Sequence, residues 1–139
     1  MNQRIDLPTP DDLSRIEAQR KWIREHFTPE TQHQYETLEG KLRLLDTIIR
    51  SKWIEPSETV KLQCLGIALG DAFVQKLGLT WVMVEDDYGR DPAVQVAGSN
   101  LLFPLTMISK RIERGEEVDV YTIFEGVCAH AQRMRGTGA

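Results

Sequence analysis

Residues 57–91 read SETVKLQCLGIALGDAFVQKLGLTWVMVEDDYGRD and contain the strongest structural pattern in the chain. Ser57 follows a proline and is predicted to cap a helix, because its hydroxyl can accept hydrogen bonds from the free N–H groups of a first turn. Apolar residues then occupy most of the helix circumference as far as Leu77, and Gly78 supplies the left-handed residue that often ends a helix. The stretch therefore predicts a helix near 58–77 that is buried at the centre of the protein.

Gly66 and Gly70 lie four residues apart in this predicted helix and therefore share one face. Inside a helix, glycine is disfavoured relative to alanine by up to about 1 kcal/mol. The pair is explained if another element packs so closely against this face that side chains would leave no room for it.

A β-hairpin is predicted after the central helix. Residues 79–84 and 92–97 are rich in strand-forming side chains and flank the turn sequence EDDYGRD. Gly89 tolerates a positive φ, and we expect a loop longer than a two-residue turn. A third short strand is predicted near 101–103, where Pro104 closes it.

Helical patterns account for most of the remaining chain. A threonine followed by a proline predicts the start of two of these helices, because it places a capping hydroxyl before the first helical residue. The predicted ranges are 10–26, 29–52 and 105–114, followed by a last helix capped by Asp119, in which Arg133, Arg135 and the tail GTGA fray. The predicted fold class is α+β, with about five helices packed around a small antiparallel sheet of two to three strands.

Three segments of the chain resemble a known family. They are LGIALGDAF, GLTWVMVEDDYGRDPA and NLLFPLTMISKRIERGEEVD. Their glycines, Trp81, acidic turn, Pro104 and basic helix are similar to the bacterial domain of unknown function 3806, over residues 60–128. The resemblance implies an α+β fold and a bacterial source, and it leaves residues 1–55 outside. The family has no assigned activity, so no catalytic residue is carried over.

The composition predicts one domain. The 139 residues are 41% hydrophobic and 27% charged, which lies in the usual range for a single domain. We predict one unit over 1–139, with a helical part at 1–55 and an α+β part at 56–135. The formal net charge of −4 argues against a nucleic-acid partner, because such binding needs clustered basic residues.

A cytoplasmic location is predicted from targeting signals and cysteines. The N-terminus has no long apolar stretch of the kind found in a secretory signal. The longest uncharged run, 92–109, has the composition of strands and turns, so we predict no membrane span. Cys64 and Cys128 lie in apolar helical patterns and are expected to be buried, reduced thiols, the alternative being a disulfide if their helices touch.

No catalytic motif is recognised in the sequence. The nucleophile elbow, the phosphate-binding loop, the dinucleotide-binding pattern and metal-ligand spacings are all missing, so we expect no enzyme activity, cofactor or metal.

Asp71 is the anomaly, because a carboxylate in a mostly apolar helix needs a partner or access to water. We expect it to reach the surface, or to bond a backbone N–H or an arginine. The alternative is a functional acid that works with Glu85 or Asp86 across a cleft. Trp81 is expected to anchor the core, the alternative being a platform on which a ligand stacks.

The turn after the first strand of the hairpin is the predicted partner-binding site. Residues 85–91 carry a formal charge of −3, and such a patch steers and holds basic proteins. The candidate binding residues are Glu85, Asp86, Asp87, Tyr88, Arg90 and Asp91. We therefore predict a small acidic bacterial interaction protein and, more specifically, an immunity protein that neutralises a toxin.

Two other functions are alternatives to an interaction protein. One is a small-molecule-binding domain or an enzyme that uses Asp71 with the hairpin carboxylates. The other is a structural subunit that pairs through its second helix, which leaves both a monomer and a homodimer open.

Overall fold

The computed structural model describes residues 3–137 and has a mixed α+β fold. Within that range it contains five α-helices and one four-stranded antiparallel sheet. The helices are α1 (Pro10–Arg24), α2 (Leu38–Ser51), α3 (Thr59–Leu77), α4 (Ser109–Glu113) and α5 (Val120–Thr137). The strands are β1 (Arg4–Asp6), β2 (Thr80–Asp86), β3 (Gly89–Ala97) and β4 (Asn100–Leu102). Two short 3-10 helices cover Gln32–Glu36 and Pro104–Thr106. The predicted fold class is confirmed.

The sheet has one strand more than predicted. Its spatial order is β1–β2–β3–β4, and each strand is antiparallel to its neighbours. The additional strand is β1, in which Arg4 pairs with Glu85 and Asp6 pairs with Met83. Three residues with the sequence RID carry no strand pattern of their own. This strand is formed by pairing with the edge of β2, which sequence periodicity does not report.

The connection between β2 and β3 is shorter than predicted. Asp86 pairs with Gly89, so the loop contains only Asp87 and Tyr88. The carboxylate of Asp86 accepts a hydrogen bond from the Tyr88 N–H at 2.8 Å, and Gly89 adopts a φ of 140°. A short polar side chain that bonds the backbone two residues on is a common way to close a tight turn.

The predicted central helix is present as α3. Eleven of its nineteen residues are buried, and Gly78 ends it with a φ of 65°. Ser57 is not its cap, because the helix begins at Thr59. The N–H of Glu58 donates to the Glu55 carbonyl at 2.9 Å, which places Ser57 inside the turn that precedes the helix.

The close packing predicted for Gly66 and Gly70 is also present. A Cβ on Gly66 would lie 2.5 Å from the Pro104 carbonyl oxygen and 2.6 Å from the Leu105 Cα. A Cβ on Gly70 would overlap the ring of Trp81. The 3-10 helix after β4 therefore packs directly on the backbone of α3.

The second predicted helix is wrong in its first nine residues. Thr28 closes a turn with Thr31, and a 3-10 helix follows. The α-helix begins only after Thr37, whose hydroxyl accepts the Gly40 N–H at 2.9 Å. The Gln34 carbonyl occupies the space that a Cβ on Gly40 would fill. This glycine lets the chain fold back on itself where a continuous helix was expected.

The C-terminal helices differ from the predictions in length. A short α4 replaces the helix predicted over 105–114. Asp119 caps α5 as predicted, because its carboxylate accepts the Tyr121 N–H at 3.0 Å. The predicted fraying from Arg133 onwards is wrong for Arg135, which donates to the Leu77 carbonyl at 2.7 Å. Residues 138 and 139 of the predicted frayed tail lie outside the described residues.

The main core joins α2, α3 and α5 to one face of the sheet, and Phe73 stacks on Phe124 at 5.3 Å. Cys64 and Cys128 are free and buried in this core. Burial raises the pKa of both thiols above the ordinary value for cysteine.

No helix among residues 3–137 combines the length and the apolar character needed to cross a bilayer.

Candidate functional site

The hairpin tip projects an aromatic ring and carboxylates into solvent. Tyr88 is 85% exposed, and Asp87 and Asp91 are exposed beside it. The bond from the Tyr88 N–H to Asp86 fixes the backbone of the turn. These four side chains lie within six consecutive residues of the hairpin, and we call them the acidic tip (Asp86, Asp87, Tyr88 and Asp91).

Arg90 and Glu85 lie below the acidic tip and face each other across the two strands. The Arg90 guanidinium turns back towards the N-terminal segment, where it donates to Asp6 at 3.0 Å and to Asp12 at 2.7 Å. Arg4 donates to both Asp6 and Glu85, at 2.8 and 2.9 Å. Arg90 therefore holds the base of the hairpin to the N-terminal segment. A role for Arg90 or Glu85 in partner binding stays a prediction.

Asp12 is the buried centre of this network, with 1% of its surface exposed. Its carboxylate accepts the Thr9 N–H at 2.8 Å, and its own N–H donates to the Thr9 hydroxyl at 3.1 Å, so it also completes the cap of α1. Arg15 donates to it from the next turn at 2.9 Å. The Arg90 guanidinium, followed by the Thr9 N–H, holds the pKa of Asp12 far below its ordinary value.

This lowered pKa predicts a specific acid sensitivity. A carboxyl group whose pKa is depressed by folding stabilises the protein above its unfolded pKa, which is 3.8 for aspartate. That contribution is lost as the pH falls through the folded pKa. We expect Asp12→Asn to lower the free energy of unfolding by a constant amount above about pH 5. Urea titrations at several pH values should show the difference shrinking below about pH 4. The exposed neighbour in Asp11→Asn is the matched control, and a pH-independent difference for Asp12→Asn would contradict the expectation.

Asp71 lies in a second cluster, where four donors reach its two carboxylate oxygens. Arg20 binds it with two nitrogens at 2.5 and 2.7 Å, the Tyr35 hydroxyl donates at 2.7 Å, and the Trp81 indole N–H donates at 3.0 Å. The Asp71 side chain is 11% exposed. The expectation that an arginine pairs with Asp71 agrees with this geometry. Trp81 lies against Gly70 and donates to Asp71.

The surroundings of Tyr35 explain its electrostatics. Burial, reinforced by the neighbouring charge of Asp71, raises the pKa of Tyr35 well above its ordinary value. Lys41 places its ammonium 5.0 Å from the centre of the Tyr35 ring and donates to Gln75 at 2.6 Å. Burial lowers the pKa of Lys41. The phenol therefore stays protonated at neutral pH and donates to Asp71, so it acts here as a structural hydrogen-bond donor.

The structure separates the two sets of predicted site residues. Asp71 and Trp81 are brought together, whereas Asp71 makes no hydrogen bond to a hairpin carboxylate among the bonds between described residues. Asp71 also lines neither of two surface depressions, which lie along α5. Among residues 3–137, no group of three or more histidine, cysteine or carboxylate side chains is placed to hold a metal ion.

Sequence reasoning missed the partners that complete both clusters. Arg20 is 51 positions from Asp71, and Asp12 is 78 positions from Arg90. The one available signal was Asp12 itself, at the third position after a capping threonine, where an acid closes a capping box. Nothing in the sequence marks Arg20 or Tyr35 as neighbours of Asp71.

The fold and the sites described above define a small α+β domain with an exposed acidic hairpin. The family model described as domain of unknown function (DUF3806) matches residues 41–124, more than half of the chain. The chain belongs to this family. The match begins earlier than the resemblance over 60–128 suggested, so most of α2 is part of the family region. The description assigns no activity, and no curated protein matches the chain.

A solved structure has a similar fold. It is a crystal structure of a protein from Bacteroides thetaiotaomicron VPI-5482, with a TM-score of 0.75 and 12% sequence identity. The similarity covers 94% of this chain and 48% of that one, so the present chain spans about half the length of that structure. At this identity the likeness concerns the fold alone.

Proposed function

We propose that this protein is a small acidic interaction protein whose acidic tip binds a basic protein partner. The observation that carries the proposal is the position of Tyr88, which is 85% exposed at a two-residue turn between carboxylates. An exposed aromatic ring supplies contact area at low entropic cost, and the flanking charges supply attraction and orientation.

The support beneath the acidic tip favours this function. Arg90 ties the base of the hairpin to Asp6 and Asp12, and Asp86 fixes the turn. A binding surface that is already ordered loses less conformational entropy on association. The acidic tip is therefore presented as a preorganised surface.

The finer part of the proposal is that the partner is a toxin and that the protein is a bacterial, cytoplasmic immunity protein. Its support is the net charge of −4, the two free buried thiols and the lack of a catalytic motif in the sequence. Co-expression with the products of neighbouring genes tests it. Growth that is rescued by the parent protein and not by a Tyr88→Ala variant would support neutralisation.

The alternative of a small-molecule or enzyme site built on Asp71 has less support. Both Asp71 oxygens already accept bonds from protein donors. A substrate would have to displace Arg20, Tyr35 or Trp81 to reach this carboxylate.

Substitution of Tyr88 is the sharpest test of the acidic tip. The partner is first identified by cross-linking to the parent protein and then purified, and its affinity is measured by calorimetry. We expect Tyr88→Ala to weaken binding about thirtyfold, because a central aromatic contact is worth about 2 kcal/mol. The double variant Asp87→Asn/Asp91→Asn should slow association and reduce its salt dependence.

Tyr121→Ala is the matched control, since Tyr121 is a partly exposed tyrosine on α5. It should leave the affinity for the partner unchanged. If Tyr88→Ala binds the partner as tightly as Tyr121→Ala does, the acidic tip is not the binding surface.

A further inference from the structure

Gly126, in the middle of α5, has no explanation within the chain. Glycine is disfavoured in a helix interior, so it is usually retained for close packing or for a left-handed φ. A Cβ built on Gly126 would meet no heavy atom within 4 Å, and its backbone is helical. Every other glycine between residues 3 and 135 has either a close neighbour or a positive φ. Gly126 is exposed, so the space that a side chain would take faces solvent.

Gly126 is exposed and lines an open surface depression of about 410 Å³. Ile123 and Val127, both half-buried, line the same depression. Because Gly126 presents only backbone, an aliphatic chain can approach the axis of α5 more closely than over any other residue type.

The side chains around the depression carry more negative than positive charge. Glu117 and Asp119 line it, against the single guanidinium of Arg111. Arg111 is already engaged, because it donates to the Met107 carbonyl at 2.6 Å. Glu117 is exposed and has no hydrogen-bond or ion-pair partner in the described part of the chain. Two half-buried apolar side chains and an unpaired carboxylate in one depression fit a long aliphatic stem that ends in a cation.

We propose that this depression receives a lysine or arginine side chain of a protein partner, with its methylene groups over Gly126 and its cationic end at Glu117. The inference rests on the proposed function only in that the partner is basic. It adds a second contact surface, separate from the acidic tip.

The test is a titration of the ¹⁵N-labelled full chain with the blocked tripeptide acetyl-Gly-Arg-Gly-amide, followed by NMR. We expect saturable shifts centred on the amides of Gly126 and its neighbours. Glu117→Gln should weaken the binding of the tripeptide about tenfold, because a charged hydrogen bond is lost. Gly126→Leu fills the depression with a side chain and should abolish the shifts. The same peptide with neutral citrulline in place of arginine is the ligand control and should cause none of them.

The proposal would be overturned if the arginine peptide caused no shifts, or if the citrulline peptide caused equal shifts. It would also be overturned if the arginine peptide caused the same shifts in Gly126→Leu as in the parent. The melting temperature of Gly126→Ala measures the effect on folding separately from binding. It should rise by about 3 °C, since alanine has the higher helix propensity and its Cβ meets no neighbouring atom. A lowered melting temperature would mean that the fold itself needs this glycine, and would also overturn the inference. Asp87→Asn alters only the acidic tip and should leave the shifts at Gly126 unchanged. Failure at the acidic tip and failure at this depression are therefore distinguishable.

Discussion

An Asp71→Ala variant is expected to lose about 3 kcal/mol of the free energy of unfolding, the largest loss that we predict for a single charged side chain. The substitution leaves the Arg20 guanidinium without its bidentate partner and removes the acceptor of the Tyr35 hydroxyl and the Trp81 N–H. Removing one member of a buried ion pair is costly because the other charge stays desolvated. Urea denaturation monitored by tryptophan fluorescence measures the loss.

Two further variants show which interaction is responsible. Tyr35→Phe removes one donor and should cost only about 1 kcal/mol. Asp91→Ala changes an exposed aspartate and should stay within about 0.5 kcal/mol of the parent. If Asp71→Ala is no less stable than Asp91→Ala, Asp71 is not a structural anchor. The hypothesis of a functional acid would then regain support.

A Gly66→Ala variant is expected to lose about 2 kcal/mol of unfolding free energy, although alanine is the better helix former. The added Cβ would lie 2.5 and 2.6 Å from backbone atoms of Pro104 and Leu105. Backbone cannot rotate away as a side chain can, so α3 and the 3-10 helix after β4 must separate. Thermal and urea denaturation of the purified variant measure the cost.

Gly126→Ala is the matched control, because it makes the same substitution in a helix interior where the new Cβ meets no atom within 4 Å. It should gain about 0.5–1 kcal/mol. The two variants should therefore shift stability in opposite directions. If Gly66→Ala were as stable as Gly126→Ala, the contact between α3 and the segment at Pro104 would not be tight.

The elements that were predicted correctly are those whose pattern is contained in a short segment. The apolar run of α3, the glycine that ends it and the alternating strands of the hairpin all act on neighbours along the chain. Gly66 and Gly70 share a helix face and therefore predicted that another element packs closely against α3. The partner in that approach, the segment at Pro104, was not predicted.

The errors have two origins. Thr28 and the proline after it look like a helix start, yet a 3-10 helix forms there and α2 begins only after the second capping threonine, Thr37. The other error comes from a distant contact. The strand β1 exists only because β2 offers it an edge.

The candidate sites show the same division. An acidic turn with a tyrosine was visible in the sequence, and the structure exposes it. That Arg90 turns towards Asp12 depends on the first turn of α1 lying beside the hairpin in the folded protein.

The amino-acid sequence by itself determined the helical spine, the hairpin and the need of Asp71 for a partner. These follow from periodicity, from backbone preferences and from the cost of burying an unpaired charge. Only the tertiary structure decided that Arg20, Tyr35 and Trp81 are the groups that meet this carboxylate. They come from three separate elements, and their positions along the chain carry no information about their distance in space. Packing the elements together is what converts an isolated charge into a satisfied one.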